Sequence, residues 1–355
     1  MKIGILTFCN AYNLGAALQA FSLQKKMEEL GNQVELIDYR CPAIEKMHQP
    51  HPVLQRGLTL KARIYNLLFN LTYPSRKKQF QRFQQEMKRS HSYTRGNIAE
   101  TNGKYDLFIT GSDQVFNLKL TGNDSTYFLD FVTNGKKASY APSLGPFIPE
   151  QKERYREWLG SFDALSVREK SSAEQLQREL GIHAEVMPDP VFLHSKEAWR
   201  ELLGIQEKRG EKYVLIYALL EKPELYAIAN KVAKEKKLKI YVITKLLKPR
   251  GKADRVLRDV GPKDFVELIS NAEYVVTNSF HGTAFSLIFE KPFTTLLPEN
   301  APERIEDLLQ DMKLEQRATH SSRDVDVTSI NYQLHREYIR NYENKGIDYL
   351  RRMCI

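Results

Sequence analysis

Residues 273–297, EYVVTNSFHGTAFSLIFEKPFTTLL, set an apolar run, a polar step, a second apolar run, a Lys-Pro stop and a third apolar run end to end. That spacing predicts a strand over 273–279, a helix over 282–291 and a strand over 292–297, a βαβ unit with parallel strands. In this reading Ser279 and His281 fall at the turn, and Gly282 and Thr283 begin the helix. The chain opens on the same pattern: KIGILTF (2–8), the helix GAALQAFSLQKKMEELG (15–31) stopped by Gly31, and QVELIDY (33–39). YDLFITGSD (105–113), KKASYAPSLG (136–145), a helix near 149–160 and ALSVRE (164–169) continue it. EVMPDPVFLH (185–194) reads as a loop between domains. Beyond it come the strands KYVLIYAL (212–219) and KIYVIT (239–244), and the helices at 223–238 and 261–272. The expected fold class is α/β, with two Rossmann-like domains facing each other across a cleft. The first spans 1–180 with a basic helical insertion at 41–100, the second spans 185–330, and a helix in 331–355 returns to the first.

A length of 355 residues fits two ordinary domains, and 42% hydrophobic content suffices for packed cores. The net charge of +9, from 53 Lys plus Arg against 44 Asp plus Glu, suits anionic ligands or surfaces. Between Arg56 and Arg95 stand ten basic residues and one acid, Glu86. There SRKKQFQRFQQEMKR (75–89) carries Phe80 and Phe83 at helical spacing. It reads either as a solvated arm packing two rings or as a patch for a membrane face or lipid-linked phosphate. No nucleic-acid domain pattern accompanies it, so a nucleic-acid partner is not expected. Cys9, Cys41 and Cys354 are odd in number and lack CxxC spacing, which argues against a disulfide framework or a zinc site. Met1 runs directly into KIGILTF with no signal-peptide pattern, and no window approaches a membrane span. A soluble cytoplasmic protein is expected, with a peripheral place at the inner membrane face left open.

Ligands of parallel sheets sit at the carboxyl ends of strands. NAYNLGAALQA (10–20) puts Asn13, Gly15 and Gln19 after the first strand, as an anion or sugar seat or simply a cap and a tight turn. It lacks the GxGxxG fingerprint of dinucleotide sites. TGSDQVFN (110–117) gathers Ser112, Asp113, Gln114 and Asn117 at another strand end. This is more than a helix cap needs, and it makes Asp113 a candidate acid/base or hydroxyl anchor. Arg168 and Glu169 in SVREKS are either a salt-bridged pair or an anion fork. At SFHGT, the helix start and a protonated His281 would together hold a phosphate and deliver a proton, whereas a lone histidine is ordinarily structural.

With NLGAALQAFSLQ, YDLFITGSDQVFN, SYAPSLG, LSVREKS and SFHGTAFSLIFEKPF in this order, the sequence resembles the polysaccharide pyruvyl transferase family nearly end to end. Pro142 stands where the family usually has a small residue, and Leu14 where an aromatic is common. The resemblance implies a GT-B-type glycosyltransferase-like fold, phosphoenolpyruvate as donor, a sugar hydroxyl pair as acceptor and a pyruvate ketal as product. It puts His281 and Arg168 at the donor, with Ser279, Gly282 and Thr283 beside His281, and Asp113 on the acceptor side with Asn13, Gly15, Gln19, Ser112, Gln114 and Asn117. No cofactor and no metal are expected. The rival expectations are a GT-B-type glycosyltransferase using a nucleotide sugar and a non-enzymatic glycan- or anion-binding protein.

Overall fold

The computed structural model describes every residue except 51, 53–56, 208–209, 300–301 and 324, so Arg56 lies outside the described residues. The chain divides into two compact units, one of Met1–Gln49, Gln84–His194 and Asn341–Ile355, the other of Pro50–Phe83 and Ser195–Arg340. In the first, β1 (Lys2–Leu6), β2 (Gln33–Tyr39), β3 (Arg89–Tyr93), β4 (Leu107–Thr110) and β5 (Lys136–Ser139) form a sheet in the order β3-β2-β1-β4-β5. A parallel pair, β6 (Ser166–Val167) and β7 (Glu185–Val186), continues beyond β5 through a bridge between Ala138 and Ala164. In the second unit the strands are β8 (Tyr213–Tyr217), β9 (Lys239–Ile243), β10 (Arg255–Leu257), β11 (Tyr274–Thr277), β12 (Phe293–Leu296) and β13 (Ala318–Thr319). Their order is β10-β9-β8-β11-β12-β13. Every pairing in both sheets is parallel.

Both sheets therefore run outward in opposite directions from a central pair, β1/β4 in one and β8/β11 in the other. This is the doubly wound Rossmann pattern, and it opens a crevice at the carboxyl ends of the central strands. Central strands covered on both faces need unbroken apolar runs, and YVLIY of β8 and YVVT of β11 are buried at every residue. Two Rossmann-like α/β domains, as expected, make up the chain.

The Leu14–Glu29 helix shows how the first unit closes. Asn13 caps it, its Oδ1 accepting from the N–H groups of Gly15 (2.9 Å) and Ala16 (3.2 Å). The small residues Gly15, Ala16, Ala17 and Ala20 are buried, which lets the helix lie close to its neighbours. On its other side Ser22 donates to the Pro190 carbonyl, and His194 Nε2 bonds the Ser22 carbonyl at 3.1 Å.

Two sequence boundaries are corrected. Residues 185–194 do not separate domains: β7 pairs with β6, and Pro190–Leu193 packs on the Leu14–Glu29 helix, so this stretch belongs to the first unit. The expected insertion at 41–100 is split, with 50–83 grouped in the second unit. The Leu60–Gln84 helix buries Phe69, Phe80 and Phe83, and Ser75 donates to Asp259 of the same unit. The Arg336–Met353 helix brings Gly346 against Tyr140 and Leu193, where a Cβ would lie 2.4 Å from the tyrosine hydroxyl. Tyr349 then donates to the Ser139 carbonyl at 3.1 Å.

His194 is 1% exposed, and burial, aided by the Lys26 charge, pushes its pKa from 6.5 down to about 4. The unfolded chain binds this proton and the folded one does not, so stability is full above pH 6.5 and falls as pH drops towards 4. The expected loss is about 3 kcal/mol. Urea unfolding across that range should show His194→Gln, which still donates to Ser22, escaping this part of the fall. An equal fall in both proteins would contradict the assignment.

Candidate active site

At the first crevice, the ends of β1 and β4 are tied by side chains. Gln19 Nε2 donates to Thr7 Oγ1 (2.9 Å) and to the Ala16 carbonyl (3.0 Å), and Thr7 Oγ1 donates to the Ser112 carbonyl (2.9 Å). Gln19 and Ser112, which the sequence offered as acceptor contacts, are fully buried, and these bonds tie them to the strand ends. Asn13 likewise spends its carbonyl on the helix cap, and Gly15 is buried beneath it. Asn10 is committed to Asp38, donating to its Oδ1 at 2.5 Å.

Asp113 and Gln114 are half-buried and form the accessible part of the cluster. Asp113 has φ 76°, a left-handed conformation that non-glycine residues seldom hold without surrounding support. That support is visible: Gln114 N–H donates to its Oδ1 (2.8 Å), and the Ser143 N–H donates to its carbonyl (2.8 Å). Asn117 donates to Gln114 Oε1 (2.8 Å) and caps the short helix that follows. Gly145, at φ 65°, passes so close that a Cβ would sit 2.4 Å from Asn117 Cγ.

Arg168 follows β6 and is 8% exposed. Its Nη1 donates to Asp189 (2.7 Å), its Nη2 to Ser143 Oγ (2.6 Å) and its Nε to Glu169 (3.1 Å). Ser143 donates onward to Glu169 (2.6 Å), and Ser112 Oγ to Asp189 (3.3 Å). Burial alone would press the guanidinium pKa down, but Glu169, Asp189 and Asp113 outweigh it and raise it. Arg168 is thus a cation clasped by carboxylates, the salt-bridged alternative of the sequence, and its fork is already engaged within the protein.

At the second crevice, the helix begins at Phe280, two residues before the sequence placed it, so His281 and Gly282 lie inside its first turn. Ser279 is the cap, accepting from the Gly282 N–H at 3.5 Å. Gly282 is required by contact: a Cβ there would lie 2.2 Å from Thr277 Oγ1, so glycine lets the helix press on β11. Thr283 is fully buried, its hydroxyl shared with the Ser279 carbonyl (3.1 Å) and Thr295 (2.8 Å). His281 is 9% exposed, and its ring meets the Phe280 ring edge-on at 5.4 Å.

Sequence reasoning passed over Asn278, which ties the two central strand ends by accepting from the Leu219 N–H (3.0 Å) and donating to the Leu220 carbonyl (2.7 Å). It also passed over Ser143 and Asp189 as partners of Arg168. The strand-end position of Asn278 and the prolines on either side of Asp189 were the available signals. Among the described residues, no group of three or more His, Cys, Asp and Glu side chains could hold a metal ion.

A family model for polysaccharide pyruvyl transferase matches residues 13–300, and the chain belongs to that family. A search of curated proteins finds no match. Solved structures it is similar to include UDP-GlcNAc 2-epimerase from Neisseria meningitidis bound to UDP-GlcNAc (13% identity, 98% of this chain and 94% of that chain, TM-score 0.49). UDP-GlcNAc 2-epimerase from Methanocaldococcus jannaschii is 12% identical over 100% of this chain and 99% of that chain, at a TM-score of 0.49. The glycosyltransferase SnogD from Streptomyces nogalater is 12% identical over 99% and 96%, at 0.42.

If Arg168 serves the scaffold, Arg168→Gln leaves buried carboxylates uncompensated and costs about 3–5 kcal/mol of stability in urea unfolding. Unchanged stability, with only a raised KM, would place its fork on a ligand instead.

Proposed function

We propose that this member of the polysaccharide pyruvyl transferase family moves the enolpyruvyl group of phosphoenolpyruvate onto two hydroxyls of one sugar in a cell-surface polysaccharide precursor. The product is a cyclic pyruvate ketal, and phosphate is released. The observation that carries this reading is the position of His281 in the first turn of a helix at the carboxyl end of β11, beside the reversal point of the second sheet. Anionic groups are favoured at such helix starts, where backbone N–H groups point outward.

His281 protonates the methylene carbon of the enol, turning it into a methyl group and leaving positive charge on the adjacent carbon. One sugar hydroxyl adds there, giving up its proton to water. The C–O bond to phosphate breaks, and the second hydroxyl closes the ring as its proton leaves with the phosphate. The helix start at Phe280–Gly282 stabilises the departing dianion. In the first unit, Asp113, Gln114 and Asn117 are the polar groups offered to a sugar, Gln114 and Asn117 joined by a hydrogen bond. Arg168 acts through Ser143 and Asp189, fixing the strand ends on which Asp113 is carried. The basic balance of the chain suits an anionic acceptor.

Phosphate release from phosphoenolpyruvate, measured over a panel of glycan precursors, should require an acceptor. His281→Ala should lower it about 10²-fold or more while the fold, checked by circular dichroism, is kept. Near-normal release in the variant, or turnover of a nucleotide sugar in place of phosphoenolpyruvate, would overturn the proposal.

A further inference from the structure

The Leu60–Gln84 helix has two apolar faces, one buried and one exposed. Phe69, Arg76, Phe80 and Phe83 recur at helical spacing and are buried. Between the two faces Ser75 donates to Asp259 (3.2 Å), and Gln79 lies where a Cβ on Gly261 would approach to 2.8 Å. The opposite face carries Leu60, Ile64, Leu67, Leu68 and Leu71, which are 73%, 50%, 54%, 44% and 70% exposed. At about 100° per residue, Leu60, Ile64, Leu67 and Leu71 fall within an arc of about 60°, roughly opposite Phe69 and Phe80. Single exposed leucines are ordinary, but a ridge of this length on one helix face marks an interaction surface.

Charge selects the occupant. The helix contains Lys61, Arg63, Arg76, Lys77, Lys78 and Arg82 and no acid. Beyond Leu71 and the internal Pro74, Lys78 and Arg82 are exposed on the same side, so the ridge is apolar in its first half and cationic in its second. A second copy of the chain would set this cationic half against either cations or leucines. A bilayer bearing anionic headgroups satisfies both halves at once, taking the leucines to the acyl boundary and the cations to the phosphates. No described helix is long and apolar enough to cross a membrane, so contact of this kind is interfacial.

We infer that the outward face of the Leu60–Gln84 helix docks the protein on an anionic lipid surface, with Leu60, Ile64, Leu67 and Leu71 as the inserted edge and Lys78 and Arg82 as the headgroup contacts. This rests on the helix alone and holds whether or not the enzyme transfers pyruvate. The test is flotation of the full chain with phosphatidylcholine vesicles, with and without phosphatidylglycerol. Binding is expected only where phosphatidylglycerol is present, and it should weaken as salt rises. The triple variant I64S/L67S/L71S and the double variant K78E/R82E should each lower vesicle binding about ten-fold or more, with thermal unfolding unchanged because all five positions are exposed. Absence of binding, equal binding to both vesicle types, or retention of binding in the triple variant would overturn the inference. So would light scattering showing a dimer that the triple variant dissolves, since a second copy would then occupy the ridge.

Discussion

A guanidinium cannot lose its water without gaining partners, and Arg168, 8% exposed, gains three. Each stands at the end of a different strand: Ser143 after β5, Glu169 after β6 and Asp189 after β7, with Ser112 after β4 joined through Asp189. One buried charge therefore draws four strand ends to a point. The conformation of Asp113 follows from this gathering, because its carbonyl receives the N–H of Ser143, whose hydroxyl is held by Arg168. The accessible polar groups at this crevice are few because most of their neighbours are consumed in holding them.

The second unit meets the same demand with an amide and close packing. Asn278 spans the ends of β8 and β11 with both sides of its amide, and Gly282 brings the following helix onto Thr277 with no atom to spare. The two crevices thus differ in kind. One is organised by a charged cluster that presents a carboxylate, the other by close packing that presents a helix start and an imidazole.

The elements legible in the sequence are those buried on both faces. QVELIDY coincides with β2, and YVLIY and YVVT lie inside the strands expected around them. Edge strands escaped notice: RSHSY of β3 is polar and partly exposed, and β10 and β13 are short and paired on one side only, so they need no apolar run. The start of the helix at Phe280 was misplaced because Gly282 resembles a helix entry in sequence, whereas its role is contact with Thr277. Unit membership of 50–83 and of 185–194 depends on long-range contacts such as Ser75 with Asp259 and Pro190 with Ser22, which no local pattern encodes. The motifs expected at strand ends do lie there. Which side chains remain accessible was decided by hydrogen bonds between residues far apart in sequence, such as Arg168 with Asp189.

The central claim is that both hydroxyls of one sugar end on the same pyruvate carbon. It is tested most directly by NMR of the purified product formed from phosphoenolpyruvate and a glycan precursor. The account predicts a methyl group on a quaternary carbon bonded to two sugar oxygens, with no vinyl protons remaining. A product that keeps the methylene as an enolpyruvyl ether, attached through one oxygen, would contradict it.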